Sequence, residues 1–536
     1  MNSQLPYATH LMSRRRLMQL AGGTTLALAM SACASSIPPE IARPATGADQ
    51  TPRQGGSLRF ALNDALTMFD PARWVSAADL YLAAAVYEGL VAMDTSDPSF
   101  PIVPRLAESW EVSEDGLEWL FHLRAGVTFH HGTPFTAKDV VYTFTRIQDP
   151  ALAASGLARL AYMESVEAVD DGSPQGAVRF RLNSPVVTLL VTLADPLAGL
   201  WIVPHDFTND ALTQQASGTA PFRVASYQPG ERLVLQRNEQ YWDPQLPHLD
   251  EIQHLYIPDN ISQVVALTSG TIDAMILSNA DAVELQDNPD IQILPLNPGL
   301  HDGLVMRPDQ PPFDDVRVRQ AFKVAMDRAG LLQIVAQGQG NVTNDQPIAP
   351  TSPFWAGLPI PKQDMPKAKA LLAEAGYPDG LDVTLVVAEI WPGLTTAAVA
   401  IQDMVKPAGI TITLQPVSVD LFWGQYFQEA ALFMGYWSSD PDPDIVLSSS
   451  YHSHAPFNDS GWQNPALDAL IEAGRLERDP EKRKAVYAEA QQLIAEQGCI
   501  MIPYHRPLLF GARANVRNLQ QEFSYSGARD VWMASV

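Results

Sequence analysis

About 480 residues follow Gly56 without an internal repeat of fixed period, and a chain of that length exceeds what one hydrophobic core accommodates. We therefore predict that this part of the chain divides into two or three lobes. Cys33 and Cys499 are the two cysteines of the sequence, so a framework of disulfides within the lobes is not expected. Each lobe must be large enough to bury an adequate core of its own.

The N-terminal segment has the pattern of an export signal. Three arginines at positions 14–16 precede an apolar run at 17–32, which ends in small residues before Cys33. This run is too short and too rich in small residues for a membrane-spanning helix, which needs roughly 20 largely apolar residues. We predict that residues 1–33 direct export of the chain.

Two shorter patterns refine this prediction. Residues 13–18 resemble the twin-arginine export box, and residues 29–33 resemble a bacterial lipobox, with Met30 where that pattern usually has Leu. The second resemblance implies lipidation of Cys33. The alternative is a plain soluble periplasmic protein.

Residues 34–56 are rich in Pro, Ala, Gly, Ser and Thr, which predicts a flexible tether. The formal net charge of the chain is −25, and removal of the export signal would make it more negative. Nucleic acid and anionic lipid require clustered Lys and Arg, so neither is an expected partner. The simpler interpretation of the negative charge is that it keeps an exported protein soluble.

The chain mixes strand-like and helical segments without the regular alternation of a barrel, which predicts an α/β (mixed α+β) fold. The apolar run at 186–203 contains Asp195 and Pro196, so we predict buried core there and not a second membrane segment. The clearest predicted strands cover residues 57–61, 117–123 and 381–387, and the clearest predicted helices cover 315–328 and 366–375.

Motifs of catalysis and of cofactor binding are missing from the sequence. Residues 338–340 lack the third glycine of a dinucleotide loop and the Lys-Ser/Thr of a phosphate loop, and His-Glu-x-x-His, Cys-x-x-Cys and Gly-x-Ser-x-Gly do not occur. Residues 130–131 and 452–454 carry paired histidines, but neither pair has a third zinc ligand at the usual spacing. We predict no catalytic residue, no cofactor and no metal, and we interpret these histidines as surface or turn residues.

The acidic turn at 440–444 has three aspartates separated by prolines, as at the start of a calcium loop. Ile445 and Tyr451 occupy the positions where such a loop needs Gly and Glu, so a calcium site is not predicted. A carboxylate on a stiff turn beside Tyr436 and Trp437 suits a primary ammonium group. Alternatively, the turn only shapes a surface loop. A third possibility is that one of these carboxylates pairs with a carboxylate from a distant segment for glycoside hydrolysis.

Several blocks of sequence, taken together, point to a known family. They cover residues 104–116, 121–132, 136–142, 218–222, 237–242, 313–321, 327–328 and 370–378. On these blocks, the chain from about Gly56 to near the C-terminus resembles the large solute-binding receptors of bacterial importers, extracellular solute-binding protein family 5, which include dipeptide- and oligopeptide-binding members. One departure is Ala220, where the family usually has Gly.

The resemblance implies two lobes joined by crossing segments, a subdomain inserted in the first lobe, and a ligand enclosed by hinge closure. It also implies a monomer that delivers a small molecule, most simply a peptide, to an ABC permease of the inner membrane. The implied boundaries are 1–33 for the export signal, 34–56 for the tether, 57–80 with 215–300 and 505–536 for lobe I, 81–214 for the subdomain and 301–504 for lobe II.

The resemblance also implies ligand residues. Trp437 and Asp440 match the tryptophan and the aspartate with which peptide-binding members hold the peptide α-ammonium, and Tyr436 adds to the apolar surroundings of that carboxylate. Trp423 falls near another pocket aromatic, with core packing as the alternative. Residues 67–69, which begin with Thr67 and Met68, lie where the first lobe approaches the ligand backbone.

Met434 stands where some oligopeptide binders carry a basic group, and the sequence offers no clear anchor for a peptide carboxylate. Other family members bind nickel chelates, oligosaccharides, opines or glutathione, so the fold alone does not identify the ligand. We predict a non-enzymatic receptor for a peptide or a peptide-like amine. An exported hydrolase is the alternative from a different functional class.

Overall fold

The computed structural model describes residues 51–94, 101–390, 392–439, 442–455, 457–519 and 528–534. The predicted export signal with Cys33, most of the predicted tether, and Asp440 lie outside these residues. Among the helices that are described, none combines the length and the apolar character needed to cross a membrane.

Strands and helices mix along the chain as predicted. The described strands are β1 (Ser57–Leu62), β2 (Val91–Met93), β3 (Ile102–Pro104), β4 (Ala107–Val112), β5 (Glu118–Leu123), β6 (Met163–Val169), β7 (Ala177–Leu182), β8 (Phe222–Gln228), β9 (Arg232–Arg237), β10 (Glu251–Tyr256), β11 (Ala274–Leu277), β12 (Ile291–Met306), β13 (Asn341–Val342), β14 (Leu381–Val387), β15 (Ile410–Pro416), β16 (Leu432–Trp437), β17 (Ile500–Met501), β18 (Tyr504–Arg513), β19 (Val516–Arg517) and β20 (Trp532–Met533). The described α-helices are α1 (Ala77–Val86), α2 (Ala137–Ile147), α3 (Leu189–Ala194), α4 (Asn209–Gln214), α5 (Asn260–Thr268), α6 (Asn279–Leu285), α7 (Val316–Ala325), α8 (Arg328–Ala336), α9 (Met365–Glu374), α10 (Leu394–Val405), α11 (Val419–Leu421), α12 (Pro443–Ser450), α13 (Pro465–Leu476) and α14 (Pro480–Gln497).

A sheet of 12 strands forms the centre of the fold, with the path β15-β14-β16-β12-β18-β11-β1-β10-β9-β8 and with β13 and β17 attached to its side. Strand β12 is 16 residues long, and it pairs with β18 in its first half and with β16 from His301 onward. The pairing register shifts between Leu296 and Leu300. Strand β12 therefore crosses from one half of the molecule to the other.

We call the half around β1 and β8–β11 the first lobe and the half around β14–β16 the second lobe. The first-lobe core lies on two faces of the sheet, with Phe60 on one and Met275 on the other. The second-lobe core is also double, with α7–α10 over one face and α12–α14 over the other. Each lobe therefore has its own core, as the chain length predicts.

A smaller antiparallel sheet, β4-β5-β7-β6, forms a subdomain between α1 and β8 in the sequence. Trp119, Phe121 and Leu123 alternate with more exposed residues along β5, and they bury one face of this sheet against α2 and α3. The apolar run at 186–203 contributes to the same core, as predicted. The lobe and subdomain boundaries given by residue number stay a prediction.

Candidate functional site

The candidate ligand residues Tyr436 and Trp437 end strand β16, next to the crossing strand β12. Tyr436 lies opposite Asp302 of β12, and Trp437 lies opposite His301. Because side chains alternate along a strand, the two aromatic rings lie on opposite faces of the sheet. Tyr436 packs against the core under α7–α10, whereas Trp437 packs against Phe457 with ring centroids 5.7 Å apart. Both rings are half-buried.

Met434 lies on the same face as Tyr436 and is 1% exposed. The position at which some oligopeptide binders carry a basic group is therefore buried in the second-lobe core of this chain. Methionine fits this apolar environment, whereas a cation there would lose its hydration.

The segment that leads from Trp437 to Asp440 is fixed to the crossing strand. The backbone N–H of Ser439 donates to the carbonyl of Gly299 at 3.0 Å, and the Ser439 hydroxyl accepts from the N–H of Ala349 at 2.8 Å. Gly299 has φ +68°, and a Cβ there would lie 2.6 Å from the Cβ of Ser439. Glycine is therefore required at the point where this loop meets the crossing strand β12.

The segment that follows Asp440 is fixed by ion pairs. Asp442 accepts two hydrogen bonds from Arg483, at 2.7 and 2.8 Å, and it also caps the first turn of α12. Asp444 accepts from Arg475 at 3.1 Å. Two of the three aspartates of the acidic turn are thus paired with arginines, and they shape the loop.

The first lobe contributes a loop that is organised by Asp79. The Asp79 carboxylate accepts hydrogen bonds from the N–H and hydroxyl of Thr67, at 2.7 and 2.6 Å, and from the N–H of Met68 at 3.2 Å. Thr67 is exposed and Met68 is half-buried. Both donors of Thr67 are occupied, so it can offer a ligand its carbonyl oxygen and its hydroxyl oxygen as acceptors, together with its methyl group.

The two lobes approach each other at Asp64 and Tyr436. Burial raises the pKa of Tyr436 to about 12, and the charges of Asp64 and Asp459 add to the increase. Asp64 follows β1 of the first lobe, and its Oδ2 accepts from the N–H of Ala77 at 2.7 Å. Burial also raises the pKa of Asp64. A first-lobe carboxyl group therefore lies near enough to a second-lobe ring to contribute to its raised pKa.

The subdomain also contacts the second lobe. The hydroxyl of Thr188 donates to Asp444 at 3.2 Å, and the N–H of Val187 donates to the carbonyl of Arg475 at 3.2 Å. Arg478 donates to the carbonyls of Glu114 and Asp115 at 3.2 and 2.6 Å. These contacts bridge parts of the chain that hinge opening would separate.

Trp423 lies in a helical turn after α11 and is 46% exposed. Its ring packs against Phe422 and Phe427, with centroid distances of 5.2 and 4.8 Å. The ring of Trp423 is therefore only partly packed against its neighbours and is not a buried core residue. Its ring contacts do not include Trp437 or Tyr436, so the structure does not bring the predicted aromatics into one cluster.

Asp459 is a residue of the site that the sequence analysis missed. Its Oδ2 accepts the indole N–H of Trp437 at 2.7 Å, although the two residues are 22 positions apart. Burial raises the pKa of Asp459 to about 7, and the hydrogen bond from Trp437 lowers it only in part. No local motif marks this aspartate, because its partner is set by the pairing of distant segments.

The first histidine pair makes structural contacts. His130 is half-buried, with a ring nitrogen 2.9 Å from the carbonyl oxygen of Ala220, and loss of solvent around the ring lowers its pKa to about 4. His131 contacts the hydroxyl of Ser217 at 2.7 Å. Across the part of the chain that the structure describes, no group of three or more His, Cys, Asp or Glu side chains could hold a metal ion.

Known proteins provide an independent comparison. Residues 101–458 match the family described as bacterial extracellular solute-binding proteins, family 5 (middle). Heme-binding protein A of Haemophilus influenzae is 30% identical over 451 residues, which cover 77% of this chain and 80% of that protein. The dipeptide-binding protein of Escherichia coli is 29% identical over 456 residues, which cover 78% and 83%.

Among solved structures, a periplasmic binding protein associated with an ABC transporter of Helicobacter pylori, in complex with the peptide STSA, superposes with a TM-score of 0.81. It is 26% identical, and the match covers 90% of this chain and 99% of that one. The predicted α/β fold with two lobes and an inserted subdomain is thereby confirmed. The chain belongs to family 5 of the bacterial extracellular solute-binding proteins, which are receptors that act outside the cytoplasm.

Proposed function

We propose that this receptor captures a peptide or a peptide-like amine between its two lobes and delivers it to an ABC permease of the inner membrane. The observation that carries the proposal is the anchoring of the acidic loop. Ser439 and Asp442 fix the backbone on both sides of Asp440, through the Gly299 carbonyl and through Arg483. The described residues on both sides of the turn are therefore held in place before a ligand binds.

The charges near the cleft support a cationic ligand group. Asp64 and Asp459 each have one buried carboxyl oxygen without a hydrogen-bond partner. The guanidinium of Arg506, on the crossing strand β18, is held by Asp302 at 2.9 and 3.0 Å. The described residues therefore favour an ammonium group over a carboxylate as the anchored end of the ligand.

Within this proposal, Asp440 accepts hydrogen bonds from the ligand ammonium, and Trp437 excludes water on its face of the sheet. Tyr436 lies on the opposite face and borders the first lobe near Asp64. The Thr67 and Met68 backbone of the first lobe approaches the ligand from the other side. Trp423 offers an exposed aromatic surface to a ligand side chain. A charge-assisted hydrogen bond in such partly dry surroundings is stronger than one in water.

We further propose that the chain has no enzymatic activity, that it acts as a monomer, and that a lipid on Cys33 tethers it to the membrane after twin-arginine export. Burial raises the pKa of the Cys499 thiol to about 11, which makes this cysteine a poor nucleophile at neutral pH. The family to which the chain belongs consists of receptors.

Thermal unfolding with a ligand panel tests the proposed function. Residues 34–536 are mixed with di- to pentapeptides, amino sugars, oligosaccharides, opines, nickel chelates and haem, and the melting temperature is measured for each. A ligand that binds only the folded state stabilises it, by about 2.7 kcal/mol at a ligand concentration of 100 times the Kd. The melting temperature therefore rises. We expect an increase with free peptides. An increase with sugars, chelates or haem and none with peptides would contradict the peptide assignment.

A further inference from the structure

We infer that Asp459 is a positioning residue that holds the indole of Trp437 and makes the binding of a cationic ligand dependent on pH. This inference rests on the proposed function, because it takes Trp437 as part of the surface that receives the ligand ammonium. Asp459 itself lies behind the indole and does not contact the ligand.

The position of Trp437 is fixed by a short hydrogen bond and by one aromatic contact. Its N–H donates to Asp459 Oδ2 at 2.7 Å, and its ring packs against Phe457. Gly435, two residues earlier on β16, lies on the same face, and a Cβ there would be in ordinary contact with the same carboxyl oxygen, at 3.6 Å. Asp459 therefore packs directly against the strand and bonds the indole edge.

Asp459 is buried without a cation. The residue is 2% exposed, and its Oδ1 has no hydrogen-bond partner. The nearby hydroxyl of Tyr451 is also buried without a partner, and the charge of Asp459 contributes to the raised pKa of that tyrosine. An ionised carboxylate in this environment is costly unless a positive charge compensates it.

Among the residues that the structure describes, no cation is paired with Asp459. Burial raises the pKa of Tyr436 on β16 and of Tyr451 after α12, and the charge of Asp459 adds to both increases. Asp345 adds a second negative charge to the field at Tyr451. Further out, His452 faces Asp468 and Glu472. Arg307 lies against Gly461 and is paired with Asp309. In this inference the ligand supplies the positive charge.

The direction of the pH effect follows from linkage. The carboxyl of Asp459 holds its proton up to about pH 7 in the folded chain, whereas in the unfolded chain it releases it near its ordinary value. Between these values the ligand-free protein loses stability as the pH rises. A cation over the face of Trp437 favours the ionised carboxylate, so binding releases a proton and affinity increases as the pH rises toward 7.5.

The test is calorimetric titration of the full receptor, residues 34–536, with a free dipeptide at pH 5.5, 6.5 and 7.5. An α-ammonium stays largely protonated in this range, since its ordinary pKa is about 7.7–8.0. We expect wild-type affinity to increase about tenfold from pH 5.5 to 7.5. Release of one proton allows at most about a tenfold change in affinity per pH unit. The Asp459→Asn variant keeps an acceptor for the indole N–H but has no carboxyl group to titrate. We expect its affinity to change less than about twofold between pH 5.5 and 7.5.

A second readout needs no variant. Wild-type titrations at pH 6.5 in two buffers with different ionisation enthalpies report the protons released on binding, and a release well above zero is expected. No release from the wild type, or an equal pH slope in Asp459→Asn and wild type, would overturn the inference while peptide binding itself stands. If the wild type binds no free dipeptide at any of these pH values, the proposed function fails, and this inference fails with it.

Discussion

The Asp440→Asn variant is expected to bind a free-amine peptide about thirtyfold more weakly than the wild type, a loss of about 2 kcal/mol. The substitution keeps the size of the side chain and removes its charge, so the ligand ammonium is left enclosed with a neutral partner. Binding measured by calorimetric titration at pH 7.5 gives the change in affinity directly. Unchanged affinity would exclude Asp440 as the ammonium anchor.

A matched control separates this effect from a general loss of acidity. Asp382 lies exposed on β14 of the same lobe and is not in the acidic turn. Asp382→Asn removes the same unit of charge and should leave the affinity within about twofold of wild type, because salt screens a distant surface charge. A similar loss in both variants would indicate long-range electrostatics and not a direct anchor.

The Asp302→Ala variant is expected to lower the free energy of unfolding by about 3–5 kcal/mol, because it leaves a buried guanidinium without its partner. Asp302 on β12 and Arg506 on β18 are 1% and 3% exposed, and they form a bidentate pair. Asp302 also accepts from the hydroxyl of Tyr504 at 2.7 Å. Urea unfolding monitored by circular dichroism measures the loss.

A double variant tests whether the unpaired charge of Arg506 causes the loss of stability. Adding Arg506→Met to Asp302→Ala removes the uncompensated charge, and it should recover a large part of the lost stability. The more exposed pair of Arg317 and Asp315, with side chains 43% and 25% exposed, is the comparison. It is broken at Arg317, because Asp315 also caps α7, and loss of a solvent-screened ion pair changes stability little. If Asp302→Ala is as mild as a substitution at that exposed pair, the buried pair does not secure the crossing strands.

Local patterns in the sequence predicted several elements well. The predicted strand at 381–387 coincides with β14, and those at 57–61 and 117–123 fall within a residue of β1 and β5. Alternation of apolar residues is a property of the strand itself, so it can be read without knowledge of the fold. The predicted helix at 366–375 matches α9 within one residue.

The predicted helix at 315–328 is wrong in its length, because the chain forms α7 up to Ala325 and begins α8 at Arg328. Met326 is extended, and the carboxylate of Asp327 accepts the N–H of Gly330 at 3.0 Å as the cap of the second helix. Asp327 followed by Gly330 was the available signal for this break. The continuous apolar pattern concealed it.

The candidate site was less predictable than the fold. The sequence drew attention to the acidic turn, but it could not show that Asp442 and Asp444 pair with Arg483 and Arg475, which are 41 and 31 residues away. Asp459 carries no pattern at all in the sequence, since its role depends on where β16 places Trp437. Partners that lie far apart in the chain are fixed by the fold and not by spacing.

Calorimetric titration of the wild-type receptor with one dipeptide in its free and N-acetylated forms tests the central claim most directly. Acetylation removes the ammonium charge and leaves the rest of the peptide almost unchanged. We predict that the free form binds and that the acetylated form binds at least about thirtyfold more weakly, a difference of about 2 kcal/mol. Equal affinity for the two forms would contradict recognition of a ligand through its ammonium group.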